Sequence, residues 1–195
     1  MSTKLKVSDM LARAFAAEGV DHLFTLMGDA NMYWSTAMAE LPGMKVVHAR
    51  HEHCAVAMAD GYARATGKVG VASTTCGPGF TQIMTALTTS AKGRQPVVVF
   101  TGDTATTAAW HIHDVDQKML TQACGAQFVA VRSIDHMMDR VREAFYIARA
   151  ERTARSMSAA SPNATSVTTR PSMGLTTSAR SAPSPLTPSM NRPVG

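Results

Sequence analysis

Short apolar segments alternate with longer segments of helical periodicity along most of the first 150 residues, and this alternation constrains the fold more than any other feature. Strands are predicted at 22–26, 45–48, 70–75, 96–100 and 128–131. Helices are predicted from an N-cap at Ser8 to Gly19, then at 31–40, 52–66, 80–92 and 134–150, with another short helix after 118. This alternation builds βαβ units, so we predict an α/β fold: an open, mostly parallel sheet with helices on both faces.

The composition of the chain changes abruptly near residue 153. All 14 acidic residues and 15 of the 19 basic residues lie in residues 1–153, which leaves residues 154–195 with four arginines and no acid. Ser, Thr, Pro, Ala and Arg make up 31 of those 42 residues. Such a segment cannot offset the entropy of ordering its backbone, roughly 1–2 kcal/mol per residue. We predict a folded domain at 1–153 and a disordered tail at 154–195, which is either a flexible linker or the product of a shifted reading frame.

The predicted sheet is incomplete at its C-terminal end. A βαβ unit needs a strand after its helix, and the helix predicted at 134–150 is followed only by the tail. No strand is predicted in residues 154–195. The last unit of the fold is therefore expected to be unfinished.

Composition and spacing exclude several classes of protein. No stretch reaches the ~18 apolar residues of a membrane span, and the N-terminal segment carries Asp9 and Glu18, which a secretory signal would lack. The basic residues form no aromatic-flanked face for nucleic acid. Cys54, Cys76 and Cys124 have no CxxC spacing, so a disulfide framework or zinc site is disfavoured, and the first two are predicted to be packed core thiols. We expect a cytoplasmic protein with no nucleic-acid or membrane partner.

Two strand-to-helix junctions carry the residues that could do chemistry, because ligands of parallel sheets meet the loops at the carboxyl ends of strands. Glu52 opens a helix between His51 and His53, where it could be a capping acid stabilised by the helix dipole. The two histidines could also belong to a metal cluster, but they should diverge at such a junction, so no metal site is predicted. Gly77-Pro78-Gly79 is either a tight turn or a point of close backbone approach to a polar heterocycle.

The order of these residues resembles a known family. Residues 51–68 read HEHCAVAMADGYARATGK, which is similar to the HE..A..MADGYAR.TGK block of thiamine-diphosphate enzymes. The turn around Pro78 follows, and then Gln95–Val99 and Gly102. Residues 4–153 thus resemble the pyrimidine-binding domain of the acetolactate synthase-like family, which includes synthases, decarboxylases and carboligases.

The resemblance implies roles for four residues. Glu52 would hydrogen-bond N1′ of the cofactor's aminopyrimidine and favour the imino tautomer, which deprotonates the reactive carbon that attacks a 2-oxo acid. Pro78 matches the turn that packs on the pyrimidine, and Gln82 stands where the family commonly has asparagine. Gln117 resembles the glutamine that reaches the reaction centre. The catalytic residues implied are Glu52 and Gln117, and the cofactor-binding residues are Glu52, Pro78 and Gln82.

The resemblance also implies parts that this sequence does not contain. In the family a C-terminal domain with a GDG…N signature holds the diphosphate and Mg²⁺, and a middle domain often holds FAD; no GDG occurs here. The family's active site forms between subunits, so a homo-oligomer or a complementary diphosphate-binding chain is implied. Residues 28–31 read GDAN instead of the commoner G-[VI]-P-G, which leaves the reaction subtype open. The chain is expected to be an inactive N-terminal part of a decarboxylase or carboligase, with a split subunit or a non-catalytic interaction module as alternatives.

Overall fold

The computed structural model describes residues 6–104, 111–153 and 164–169. The strands are β1 (His22–Thr25), β2 (Lys45–His48), β3 (Gly70–Thr74), β4 (Val97–Gly102), β5 (Gln127–Val131) and β6 (Ala164–Thr169). The helices are α1 (Val7–Ala17), α2 (Met32–Ala39), α3 (Glu52–Thr66), α4 (Pro78–Thr81), α5 (Met84–Lys92), α6 (Gln117–Ala123) and α7 (Met137–Thr153). Each pair of neighbouring strands is parallel, which confirms the predicted α/β class.

The strands form one sheet in the order β2-β1-β3-β4-β6-β5. The first four strands make a continuous parallel block, in which β1 and β3 lie at the centre and β2 lies at the edge. β6 then lies between β4 and β5, although it follows both in the chain. Because all the strands run in one direction, the loops that follow β1, β2, β3 and β4 meet at one edge of the sheet.

β6 differs from the prediction that the tail supplies no strand. Its sequence, Ala-Thr-Ser-Val-Thr-Thr, is rich in β-branched residues, which favour extended backbone. The facing edges of β4 and β5 also present backbone N–H and C=O groups that need partners. Most of the tail lies outside the described residues, and so does its predicted disorder, so the domain boundary at residue 153 stays a prediction.

The core consists of two layers, one on each face of the sheet. α1, α2 and α7 cover one face, where Phe15 packs edge-on against Trp34 and Phe145. α3, α5 and α6 cover the other face. Alternation along the strands feeds both layers: in β4, Val98 and Phe100 join the first layer, and Val97 and Val99 join the second. Because β4 contributes to the core on both faces of the sheet, residues 97–100 form a continuous apolar run.

Three local predictions were wrong. α1 begins at Val7 after Lys6, so Ser8 lies inside the helix and is not its N-cap. The helix predicted at 80–92 is two helices, because the hydrogen bond from Ile83 N to Phe80 O closes a tighter turn between α4 and α5. Cys54 is exposed on α3, whereas Cys76 is buried as expected.

No helix among the described residues is both long enough and apolar enough to cross a membrane.

Candidate functional site

Glu52 lies at the junction of β2 and α3, in the first turn of the helix. The residue before it, His51, is the N-cap, and its Nδ1 accepts the backbone N–H of His53 at 3.1 Å. The capping role considered for Glu52 is therefore filled by His51. Within the described residues, no hydrogen bond or ion pair engages the half-buried Glu52 carboxylate. The carboxylate is thus held at the positive end of α3 and is open to a ligand.

The Gly-Pro-Gly turn lies directly against this carboxylate. A Cβ atom on Gly79 would lie 3.3 Å from Glu52 Oε1 and 2.6 Å from Thr75 Cγ2, so only glycine leaves this space open. Gly77 has φ of 62°, and a Cβ there would lie 2.6 Å from the Cα of His113. Both interpretations of the turn therefore apply. The turn needs glycine for its backbone, and the absence of a Cβ atom at Gly79 leaves an open space beside Glu52, here called the clearing.

Pro78 and Gln82 flank α4, the short helix of this turn. Pro78 is the first residue of α4, and Gln82 is its C-cap. Both side chains are exposed. The structure thus brings Glu52 and the Pro78 turn together and leaves Gln82 one helical turn further along the chain.

Gln117 is the buried first residue of α6, which follows the loop after β4. Its Nε2 donates to the backbone carbonyl of Gly102 at 2.9 Å and to Asp103 Oδ1 at 3.5 Å. α6 itself is capped by Asp116, whose carboxylate accepts the N–H of Met119. The Gln117 amide therefore fixes the carboxyl end of β4, and its predicted role at a reaction centre stays a prediction.

The sequence interpretation missed Asn31, which joins the loop after β1 to β3. Asn31 is only 1% exposed. Its Oδ1 accepts the N–H of Gly28 at 2.8 Å, and its Nδ2 donates to Ser73 Oγ at 2.9 Å and to Leu26 O at 3.2 Å. The available signal was an asparagine just before an apolar helix, which is a common N-cap position. Here the side chain bonds back to the loop and to β3 and makes no cap hydrogen bond.

Both His-x-His sequences serve as backbone caps. His111 Nδ1 accepts the N–H of His113 at 3.1 Å, which repeats the arrangement of His51 and His53. The Nδ1 atoms of His51 and His111 are therefore engaged by backbone. Among the residues described, no three His, Cys, Asp or Glu side chains are grouped so as to hold a metal ion.

A cavity of about 550 Å³ opens on the opposite side of these loops, between α1, α2 and α7. Its walls include Leu11, Trp34, Phe100 and Met137, together with Cys76. Burial raises the pKa of the Cys76 thiol, so this cysteine is in its neutral form. Neither Glu52 nor the other three predicted site residues are among the described residues that line this cavity. The cavity nevertheless borders the predicted site, because Gly102 and Asp103, the two contacts of Gln117, also line it.

Comparisons with known proteins identify the family to which this chain is similar. Residues 5–128 match the family described as thiamine pyrophosphate enzyme, N-terminal TPP binding domain. The acetolactate synthase large subunit of Haemophilus influenzae is 31% identical over 147 residues, which cover 74% of this chain and 26% of that protein. The acetolactate synthase isozyme 3 large subunit of Escherichia coli is 31% identical over 150 residues, or 76% of this chain and 26% of that protein.

The similarity extends to a relative with a different name. The 2-hydroxyacyl-CoA lyase 2 of Danio rerio is 33% identical over 143 residues, which cover 72% of this chain and 23% of that protein. The chain therefore spans about a quarter of the length of these relatives. Their different names leave the reaction subtype open.

Proposed function

Because the chain belongs to the thiamine pyrophosphate enzymes, as an N-terminal TPP-binding domain of the acetolactate synthase-like kind, we propose that it binds the aminopyrimidine part of thiamine diphosphate through Glu52. The observation that carries this proposal is the Glu52 carboxylate itself. It lies at a helix N-terminus, beside a turn whose glycine keeps it clear, and it has no partner among the described residues. Its oxygen atoms are therefore available to accept a hydrogen bond from a ligand.

The residues present suit the aminopyrimidine ring. Glu52 offers an acceptor for a ring nitrogen, and the clearing at Gly79 admits a flat group that a Cβ atom would block. Pro78 presents an exposed apolar ring next to that clearing. Gln82 offers an exposed amide one turn away. An acceptor, a clearing and an apolar surface are what a flat polar heterocycle requires.

The role proposed for Glu52 is to accept a hydrogen bond from N1′ of the pyrimidine. The carboxylate lies in the first turn of α3. A carboxylate shielded from water forms a stronger hydrogen bond than a neutral acceptor does. When bound, thiamine diphosphate supplies the carbon nucleophile and electron sink for reactions of 2-oxo acids. Glu52 would hold the N1′ proton of the bound cofactor, and so its loss should remove activation as well as binding.

The complete reaction requires parts supplied from elsewhere. In this proposal the parent enzyme decarboxylates or ligates 2-oxo acids in the cytoplasm, and another domain or chain holds the diphosphate and Mg²⁺, with FAD where the parent uses it. A homo-oligomer or a complementary diphosphate-binding chain would complete the site. Gln117 would act on the reaction side. The isolated chain would bind the cofactor weakly and would catalyse no reaction.

Substitution of Glu52 by Gln tests the proposal directly. Saturation-transfer NMR on the aminopyrimidine protons of thiamine diphosphate would report weak binding to the full chain. Loss of a charge-assisted hydrogen bond is worth about 1.5–3 kcal/mol, so we expect affinity to fall by at least tenfold in the Glu52→Gln variant.

Glu40→Gln is the matched control, because Glu40 is an exposed residue that ends α2 away from the turn. It should bind the cofactor as the unsubstituted chain does. Equal binding by the Glu52 and Glu40 variants would refute the proposal and would favour a non-catalytic interaction module. The split-subunit form of the proposal holds under two conditions. The Glu52→Gln variant must lose binding, and the unsubstituted chain must become active only when it is mixed with a diphosphate-binding chain.

A further inference from the structure

The cavity between α1, α2 and α7 is not used by the proposed binding of the cofactor. Its volume of about 550 Å³ lies within the usual range of ligand pockets, roughly 300–1,000 Å³. Its walls include five apolar side chains that are themselves buried: Leu11, Trp34, Phe100, Val131 and Met137. Ligand pockets are lined in this way, with a few polar groups that orient the ligand. The size and the lining of the cavity therefore suit the apolar body of a small molecule.

Trp34 brings a hydrogen-bond donor without a partner to this cavity. The residue is only 3% exposed, and its Nε1 is buried with no hydrogen-bond partner among the described residues. The indole ring packs against Phe15 and Phe100, whose ring centroids lie 4.8 and 4.3 Å from its own. The side chains of these two phenylalanines have no acceptor to offer. Because a buried N–H without a partner is unfavourable, a ligand in the cavity gains by presenting an acceptor to Trp34.

A second polar atom at the cavity is also without a partner. His113 is one of the lining residues, and its Nδ1 is buried with no hydrogen bond to any part of the chain that the structure describes. Only the backbone N–H of His113 is engaged, by Nδ1 of His111. The cavity thus combines apolar walls with two buried polar atoms, which is the composition of a ligand pocket.

The charged groups at the cavity are acidic. Asp29 and Asp103 are among the described residues that line it, and none of those residues is a lysine or an arginine. Burial raises the pKa of the Cys76 thiol at the cavity wall, and the negative charges of Asp29 and Asp103 raise it further. An anion would be repelled by these carboxylates, and a cation would lose its water among apolar walls. The cavity therefore favours a ligand without charge.

We propose that this cavity is a binding site for a small, uncharged, apolar molecule that carries a hydrogen-bond acceptor, such as a ketone, an aldehyde or an ester. The apolar body packs against Leu11, Phe100 and Met137, and Trp34 Nε1 donates to the acceptor. This class of ligand differs from the anionic 2-oxo acids of the proposed reaction. The site does not involve Glu52, so the inference does not depend on the proposed cofactor.

Fluorine NMR titrations of the full chain with three matched probes test the proposal. Each probe carries a para-fluorine on its ring, and the probes differ only at the end of the side chain. Benzylacetone ends in a ketone, butylbenzene has neither a charge nor an acceptor, and hydrocinnamate ends in a carboxylate. We expect saturable binding of the ketone, and binding of the carboxylate that is weaker by about tenfold or more. Equal affinities for the ketone and the carboxylate would overturn the proposal.

Substitution of Trp34 separates the hydrogen bond from packing. Trp34→Phe removes Nε1 and keeps an aromatic ring, so it should weaken binding of the ketone, relative to that of butylbenzene, by about three- to tenfold. Tyr146→Phe is the matched control, because Tyr146 is 72% exposed on α7 and does not line the cavity. It should leave both affinities unchanged. If Trp34→Phe altered the two affinities equally, or altered neither, the proposal would be wrong.

A larger side chain in the cavity shows where the probes bind. Leu11→Phe enlarges a buried side chain of the cavity wall and should weaken binding of both uncharged probes. Met119→Phe makes a similar change at a residue that is 60% exposed on α6, and it should have no effect. Circular dichroism verifies the fold of each variant, and Ser8→Phe, on the same wall, replaces Leu11→Phe if that variant does not fold. Undiminished binding by the folded cavity variant would place the probes elsewhere and overturn the proposal.

Discussion

Gly79 and Gly61 form a natural comparison, because the space beside them is so different. Gly79 faces Thr75 and the Glu52 carboxylate, whereas a Cβ on Gly61, in the middle of α3, meets nothing within 4 Å. Glycine at Gly61 therefore costs helix stability without a local reason in packing. At Gly79, the absent Cβ is what keeps the space beside Glu52 open.

Alanine at these two glycines should have opposite effects. Gly61→Ala should stabilise the chain by roughly 0.5–1 kcal/mol, since it reduces the entropy lost on forming the helix. Gly79→Ala should destabilise it by roughly 1–3 kcal/mol, because the new methyl group overlaps Thr75. Urea unfolding monitored by circular dichroism measures both. Gly79→Ala should also weaken thiamine diphosphate binding, and unchanged binding would show that the clearing is not the cofactor's place.

At the scale of elements, the C-terminal end of α3 is anchored by contacts that the sequence does not place together. Its first turn holds Glu52, and its last part reaches Asp21, in the turn before β1. Tyr62 Oη donates to Asp21 Oδ1 at 2.5 Å, and Lys68 Nζ lies 2.5 Å from Oδ2. The block between His51 and Lys68 therefore serves two purposes: one end presents the carboxylate, and the other anchors the helix to the sheet.

The anchor at Asp21 makes stability depend on pH. Desolvation alone would raise the pKa of Asp21, but hydrogen bonds from Lys68, Tyr62 and His22 outweigh it and hold that pKa well below its usual value. A carboxyl group with a lowered pKa in the folded state stabilises the fold above its unfolded pKa of about 4, and this contribution is lost as the pH falls towards the folded pKa.

Asp21→Asn should therefore lower the free energy of unfolding at pH 7 by about 1 kcal/mol, a modest value because solvent screens a partly exposed carboxylate. The difference from the unsubstituted chain should shrink as the pH is lowered from about 4 towards the lower pKa of the folded state. Asp60→Asn is the control, since Asp60 pairs with Arg64 within the same helix and such a pair contributes roughly 0.3–0.5 kcal/mol. If the loss of stability in the Asp21→Asn variant did not change with pH, the lowered pKa of Asp21 would not be the source of the stabilisation.

At the scale of the whole molecule, the place of β6 between β4 and β5 and the change of composition near residue 153 are two aspects of one feature. α7 ends at Thr153, and the fold then requires a strand beside β4. The next ten residues are outside the described ranges, and the strand that follows them is rich in hydroxyl groups. An apolar strand directly after α7 would suit this position better.

The gene sequence past codon 153 should reveal the origin of the tail. If the tail is a shifted reading frame, another frame should encode an apolar strand of the Gly-Pro-Val type soon after that codon, and a GDG…N sequence further on. Nucleotide sequencing across codons 140–200 and beyond, read in all three frames, decides this. If no frame continues the fold, the tail is genuine, and a separately encoded diphosphate-binding chain is the partner to seek.

Much of this protein was determined by the sequence alone. The alternation of apolar runs with amphipathic segments specified an α/β fold, because strand and helix periodicities are local properties of the chain. The resemblance carried by residues 51–68 and the turn at Pro78 identified the family and pointed to Glu52. These features depend on residues close together in the chain, and so a pattern of residues is sufficient to predict them.

Only the tertiary structure decided which distant residues meet. The hydrogen bonds of Asn31 to β3, the attachment of Gln117 to Gly102, and the anchoring of Tyr62 and Lys68 by Asp21 each join segments from different parts of the chain. The strand at 164–169 is another such case, because its place depends on two edges that become neighbours only in the folded sheet. No local pattern encodes these contacts, since their free energy depends on what packing places opposite each side chain and each strand edge.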